Sequence, residues 1–112
     1  MGSRHVVPQG GTVMSFDYRE LDPVLDSRMR VGILALLLNG DEVEFVRLRD
    51  MLDATDGNLA KHLRRLEEAR YVKMRKSFVG RRPRTTYSIT SKGRAALDNH
   101  VRLLAGLLES PE

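Results

Sequence analysis

The hydrophobic period of the chain changes abruptly near residue 70, and this change limits the folds that the chain can adopt. Before that point, three leucines between residues 59 and 66 recur every three or four positions, the spacing of one helix face. We predict this helix over about residues 57–69. After that point, two runs with the period of a strand, residues 71–78 and 85–89, surround a loop that contains glycine and proline. This change of period therefore predicts a helix followed directly by a two-stranded hairpin.

Three more helices are indicated around this unit. The first is expected over about residues 27–38, and a second, short one follows a very short strand near residues 43–45. The last is expected over about residues 91–108. The buried face of the first helix is predicted to consist of Val31, Leu34, Ala35 and Leu38, widened by Ile33, Leu36 and Leu37. The predicted fold class is mainly α with a small β-hairpin, a winged helix-turn-helix with an added C-terminal helix.

The length of the chain, 112 residues, is typical of one domain. We place this domain at residues 16–112, after a flexible tail at residues 1–15. The absence of cysteine excludes disulfides and thiolate chemistry. The longest apolar run, residues 33–38, is far shorter than the ~20 residues that a membrane span needs. We therefore expect a soluble, cytoplasmic protein without a membrane partner.

Basic residues are concentrated in one part of the chain. The formal net charge is +4, yet residues 57–94 alone carry +10 and the remainder carries −6. Like charges at this density repel one another unless an anionic partner neutralises them, so one side of the domain is predicted to face a polyanion. The alternative is that these charges form only a solvated surface.

The outer face of the predicted helix at 57–69 suits the major groove of duplex DNA. Base edges present a distinguishable pattern of donors and acceptors there, and asparagine, lysine and arginine side chains can recognise it from a helix. The predicted base contacts are Asn58, Lys61, His62 and Arg65. Thr55 and Arg64 are expected nearer to the phosphate backbone, close to the helix N-terminus.

The predicted loop at residues 79–84 has three arginines within four residues, and we expect no acid nearby to relieve their mutual repulsion. Such an arrangement is costly in self-repulsion unless a phosphate or a narrow minor groove accepts it. The predicted wing contacts are Arg81, Arg82 and Arg84. The predicted phosphate contacts from the preceding strand are Lys73, Arg75 and Lys76. Helix and hairpin together predict double-stranded DNA as the partner.

Two strings are similar to those of small MarR-like winged-helix transcriptional regulators: Thr-Asp-Gly-Asn-Leu-Ala-Lys-His-Leu-Arg-Arg-Leu-Glu-Glu-Ala (55–69) and Gly-Arg-Arg-Pro-Arg-Thr-Thr-Tyr (80–87). The similarity extends over roughly residues 16–108. This resemblance implies a dimeric bacterial or archaeal DNA-binding regulator, with the predicted helix in the major groove and the loop at the minor groove. Arg70 stands where the family pattern usually has glycine, so we expect this helix to end without the left-handed backbone conformation that glycine provides. The alternative is that the backbone strain is tolerated and directs the arginine toward a phosphate.

The C-terminal helix carries an apolar stripe with the spacing of a heptad seam and a second apolar row beside it. The predicted interface residues are Leu97, Val101, Leu104, Leu107 and Leu108. We predict that residues 91–108 form a dimerisation helix and that the homodimer represses transcription from a palindromic DNA site. The alternative is that the stripe packs against its own domain.

Other functions fit the sequence less well. A winged helix can also bind an acidic protein through its basic face, and this protein-interaction module is the alternative function. RNA binding is disfavoured because aromatic residues, which stack on bases, are only 5% of the chain. No catalytic motif is present, and Asp98 with His100 lacks a second histidine or cysteine, so we expect no enzyme, no metal and no other cofactor. A small-molecule effector is left open.

Overall fold

The computed structural model describes residues 17–108, so the predicted tail at residues 1–15 lies outside the described residues. Two 3₁₀ turns, Tyr18–Glu20 and Pro23–Leu25, precede the main elements. The helices are α1 (Arg28–Leu36), α2 (Phe45–Leu52), α3 (Asp56–Glu68) and α4 (Ser91–Leu108). The strands are β1 (Val43–Glu44), β2 (Val72–Val79) and β3 (Arg82–Ile89). This order confirms the winged helix-turn-helix prediction.

Side-chain caps explain where three of the helices begin. The hydroxyl of Ser27 accepts a hydrogen bond from the backbone amide three residues later at the start of α1 (3.2 Å), and Thr55 does the same for α3 (3.2 Å). Thr90 caps α4 in the same way, at 3.0 Å. Each bond satisfies a backbone donor that the first helical turn leaves without a partner.

The core fills the space between α1, α2, α3 and the base of the sheet. Its fully buried members are mostly aliphatic: Leu25, Ile33, Leu34, Leu37, Leu48, Leu59, Leu63 and Leu66. Of the buried face predicted for the first helix, Ile33, Leu34 and Leu37 are buried, whereas the predictions for Ala35 and Leu38 are wrong because both are exposed. The helix packs against α2, α3 and α4, and its fully buried residues are Ile33 and Leu34. It also ends at Leu36, earlier than predicted.

The three strands form an antiparallel sheet in the order β1-β3-β2. Val72 pairs with Ile89 at the inner end of the hairpin and Val79 pairs with Arg82 at its outer end. The predicted loop at 79–84 is therefore wrong, since the turn consists only of Gly80 and Arg81. Pro83 is accommodated because β1 pairs only with residues 86 and 87 of β3, so the outer part of β3 has an open edge. We call this hairpin, residues 72–89, the wing.

Arg70 ends α3 with a φ of 66°, so the expectation that this helix ends without a left-handed residue is wrong. Its amide donates to the Glu67 carbonyl, and the Tyr71 amide donates to the Leu66 carbonyl, both at 2.9 Å. These two bonds form the Schellman motif, in which a left-handed residue allows the last carbonyls of a helix to be satisfied. These two hydrogen bonds hold Arg70 in a backbone conformation that glycine usually adopts.

The two halves of α4 have different surroundings. At its start, a Cβ added to Gly93 would overlap the backbone carbonyl of Tyr71, so α4 lies directly against the junction between α3 and β2. Leu97 is buried in the core, but no side chain of α4 beyond it is buried. Beyond Leu97, four large apolar residues of α4 are exposed: Val101, Leu104, Leu107 and Leu108.

Among the described residues, no helix combines the length and the apolar character that a membrane crossing requires.

Candidate nucleic-acid interface

The outer side of α3 presents the polar side chains that the sequence predicts as DNA contacts. Asn58, Lys61, Arg64 and Arg65 are exposed, and none of them forms an ion pair with another residue between 17 and 108. Their outward placement follows from the burial of the leucines on the opposite side of the helix. Thr55 is also exposed. Its hydroxyl oxygen accepts the capping hydrogen bond from the Asn58 amide, so its hydroxyl hydrogen can still donate to another group.

His62 lies at the border of this surface rather than on its outermost side. It is half-buried, and its Nδ1 is 2.9 Å from a guanidinium nitrogen of Arg30 in α1. The Nε of Arg30 donates to the Val24 carbonyl at 2.5 Å, so this arginine joins the turn before α1 to α3. Burial lowers the pKa of His62, and the positive charges of Arg30 and Lys61 lower it further. The ring is therefore held neutral, as an acceptor for the guanidinium.

Tyr71 anchors the end of α3 from the other side. Its hydroxyl donates to the carboxylate of Asp22, which also accepts from the Val24 amide at 2.9 Å. Burial and the Asp22 carboxylate raise the pKa of Tyr71 to about 12, so the phenol keeps its proton and remains a donor. The segment before α1 is thus tied to both the middle and the end of α3.

The wing distributes its cations unequally between its two faces. Alternation along the strands places most of them on the face opposite the core, and the register aligns the two strands. On this face lie Lys73, Arg75, Arg82 and Arg84. Lys76 lies on the other face, in line with Met74 and Phe78, and Arg81 is in the turn.

Two acidic residues that are distant in sequence neutralise two of these arginines. Glu42 accepts hydrogen bonds from Arg75 at 3.0 Å and from the Thr86 hydroxyl at 2.8 Å. The Arg75 and Thr86 bonds lower the pKa of Glu42, so it stays ionised. Glu44 forms an ion pair with Arg84 at 2.9 Å. The premise that no acid lies near the wing arginines is therefore wrong for Arg84.

Arg81 and Arg82 differ from these paired arginines. Both are exposed, and within residues 17–108 neither forms an ion pair. Lys73 and Lys76 are likewise exposed and unpaired within the same range. The free cations of the wing therefore lie at its tip and along β2. The paired cations face β1.

Sequence reasoning missed the residues that support this surface. Arg30 contacts a residue 32 positions away, and Glu42 contacts residues 33 and 44 positions away. No local pattern marks such pairs. The short strand at 43–44 was the available signal, because a strand beside the wing brings its flanking acids into reach.

The candidate dimer stripe on α4 is only partly exposed. Val101 is 55% exposed, Leu104 42%, Leu107 38% and Leu108 90%. Leu97 is 5% exposed and belongs to the core of its own subunit, so its assignment to the interface is wrong. The described residues contain no cluster of three metal-ligating side chains, and Asp98 is paired with Arg102 at 2.7 Å.

Known proteins similar to this chain share this fold. The family described as winged helix DNA-binding domain matches residues 29–108. The uncharacterized protein MJ0432 of Methanocaldococcus jannaschii is 44% identical over 78 residues, which are 70% of this chain and 85% of that protein. A transcriptional regulator homologue protein from Pyrococcus horikoshii OT3 superposes with a TM-score of 0.71 at 32% identity. That match covers 77% of this chain and 85% of the other.

A more distant match shows the fold alone. PadR of Bacillus subtilis, whose structure was solved in complex with operator DNA, has a TM-score of 0.60 at 18% identity. The match covers 67% of this chain and 48% of PadR. The resemblance to winged-helix transcriptional regulators is confirmed at the level of the winged-helix family and fold. On the family match and the fold together, the chain belongs to the winged helix DNA-binding domain family.

Proposed function

We propose that this protein is a sequence-specific, double-stranded DNA-binding transcriptional regulator that acts as a homodimeric repressor on a palindromic operator. One observation carries the proposal: α3 and the tip of the wing both present exposed cations that have no acidic partner among residues 17–108. In a domain of this family, such side chains match the phosphates and base edges of a duplex. PadR, a protein with the same fold, binds operator DNA.

The proposed roles follow from position. On α3, Asn58, Lys61 and Arg65 contact base edges in the major groove, while Thr55 and Arg64 contact phosphates. His62 is at the border of this surface, where one ring nitrogen is already engaged by Arg30. On the wing, Arg81 and Arg82 contact the minor groove, and Lys73 and Lys76 contact phosphates. Arg75 and Arg84 contribute less than the others, because each is partly neutralised by an acid.

Dimerisation is supported by the exposed stripe on α4. Monomeric domains rarely leave a row of large apolar side chains open to water, and the second half of α4 has no buried side chain of its own. A two-fold axis along this stripe pairs each apolar residue with its copy. Two copies of α3 then read two half-sites about one DNA turn apart, ~34–36 Å.

The most direct test is selection of bound duplexes from a random pool. We expect a recovered site with two inverted half-sites. If each subunit neutralises about four phosphates, the logarithm of the binding constant falls with the logarithm of salt concentration with a slope of about 7. Retention of an acidic protein at high salt, with no retardation of DNA at low salt, would instead support a protein-interaction module.

Two variants distinguish base recognition by α3 from the sequence-independent binding contributed by the wing. Arg65→Ala should relax base preference at one position of each half-site, whereas Arg82→Ala should weaken binding to all sequences, most of all to sites with A·T flanks. Arg102→Ala is the matched control, because it removes a cation that is paired with Asp98 on α4. The opposite pattern for the first two variants would exchange their assigned roles.

A further inference from the structure

The tip of the wing carries an apolar group that the cation contacts described above do not use. Phe78 is 72% exposed and Val79 58% exposed. Pro83, also exposed, lies directly opposite Phe78 in the register of the hairpin. The two-residue turn of Gly80 and Arg81 follows immediately. These side chains add nothing to the core of the subunit.

The hairpin holds this group away from the body of the protein. Thr86 and Tyr87 are the outermost buried residues of β3, and they pair with Arg75 and Met74. Phe78 therefore lies three to four residues farther out, about 10–13 Å at ~3.3 Å per residue. This reach exceeds the depth of the minor groove, ~7.5 Å. A residue at this position can enter the groove while the base of the hairpin stays outside the duplex.

The charges next to Phe78 indicate which partner this group meets. Arg81 and Arg82 are exposed and unpaired within residues 17–108, so the tip is cationic as well as apolar. A protein partner with an apolar pocket would not by itself require these charges. Minor-groove proteins that bend DNA combine both features: cationic side chains follow the groove, and an apolar side chain separates two base pairs.

We propose that Phe78, supported by Pro83 across the strand pair, is a wedge that enters the minor groove, partially unstacks one base step and bends the duplex. This inference rests on the proposed function of duplex binding. The wedge would make binding depend on how easily a base step unstacks, which is a source of specificity without a hydrogen bond to a base. Pyrimidine–purine steps unstack with the least free energy, so the site should contain TA or CA/TG where the wing tip lies.

Bending of the selected duplex tests the wedge. The duplex recovered by the wild-type protein is labelled at both ends, and energy transfer reports its end-to-end distance at saturating protein. We expect the wild type to bend the duplex by some tens of degrees, within the range of about 20–90° known for such wedges. Phe78→Ala should bind about tenfold more weakly, the loss of one stacking contact, and leave the duplex straight at saturation.

Two further variants control for the size and place of the side chain. Phe78→Leu keeps an apolar wedge and should retain most of the bend. Val79→Ala removes an exposed apolar side chain from the same tip but from the opposite face of the strand, so the bend should persist. Because Phe78 is exposed, circular dichroism should show every variant folded as the wild type is.

These outcomes test the proposed wedge separately from the proposed binding of duplex DNA. A wild-type protein that binds its duplex without bending it, or a Phe78→Ala variant that bends it as much, overturns the wedge and leaves the DNA-binding regulator intact. A change of molecular mass caused by Phe78→Ala also overturns it, because the side chain would then join two subunits. Failure of the wild type to retard any duplex overturns the regulator itself.

Discussion

Arg70 occupies a region of backbone conformation that a residue with a Cβ rarely adopts. Its φ of 66° is imposed by the Schellman bonds that end α3 and by the immediate start of β2 at Val72. The steric cost of a left-handed residue other than glycine is roughly 1–2 kcal/mol. The fold tolerates this cost at the end of its proposed reading helix.

Arg70→Gly should raise the free energy of unfolding by about 1 kcal/mol, because glycine adopts the same φ without the steric cost. Thermal denaturation should show an increase in Tm of about 4–8 °C. Arg70→Ala is the matched control, since it removes the same charge and keeps the Cβ, and it should bring no such gain. Equal stabilisation by both variants would assign the effect to the lost charge instead.

His62 gives the fold a dependence on pH. Its pKa is lower in the folded protein than in the unfolded chain, so the unfolded chain binds the proton first as the pH falls. The stability contributed by the neutral ring is present above about pH 6.5, the ordinary value, and is lost as the pH falls through the folded-state pKa. Denaturation of His62→Asn between pH 5 and 8 should show a smaller loss. An identical loss in the variant would place the titrating group elsewhere.

At the level of whole elements, the short strand β1 controls the charge of the wing. The residues just before it and within it, Glu42 and Glu44, neutralise Arg75 and Arg84 and leave the cations at the tip free. The exposed pairs contribute little to stability, roughly 0–1 kcal/mol each. Their larger effect is on the number of cations available to a duplex.

Glu44→Gln should strengthen duplex binding, because Arg84 then becomes free to contact a phosphate. The slope of binding against salt should become steeper by up to about 0.9 per subunit. Titrations at several salt concentrations measure both quantities. Glu20→Gln makes the same charge change outside the wing. If it strengthens binding equally, the effect belongs to net charge and not to Arg84.

The sequence predicts the helices and strands more accurately than the long-range contacts between them. The leucine spacing at residues 59–66 identifies α3, and the change of period at residue 70 identifies the hairpin, because both signals are local. The predicted loop of the wing is too long because glycine and proline favour turns, whereas pairing with β2 extends β3 to Arg82. The contacts of Glu42 and Arg30 were beyond prediction, since they depend on how distant segments pack.

On the scale of the whole molecule, α4 divides into a half that belongs to the core and a half whose large apolar side chains are mostly exposed. Leu97 closes the core, while Val101 and Leu104 are open to solvent. The apolar residues of α4 have the same spacing in both halves, so the sequence does not show where the core ends. The sequence therefore predicts Leu97 as an interface residue, although it belongs to the core. The free half is where the proposed homodimer forms.

Leu104→Glu should convert the proposed dimer, about 25 kDa, into a folded monomer near 12.7 kDa, because it places a charge on the exposed stripe. Light scattering measures the mass, and duplex affinity should fall as well. Leu97→Ala should instead lower the free energy of unfolding by about 2–5 kcal/mol. A wild-type mass of 12.7 kDa at micromolar concentration would contradict the dimer.

The close approach of Gly93 to the Tyr71 carbonyl has a consequence for operator geometry. No linker separates the end of α3 from the element that α4 packs against, so a tilt of one helix moves the other. Over the ~27 Å length of α4, a tilt of about 10° displaces its far end by about 5 Å. That displacement corresponds to between one and two base pairs. Because the close approach of Gly93 to the Tyr71 backbone resists such a tilt, the proposed homodimer should discriminate sharply between operators whose half-sites differ in separation by only two base pairs.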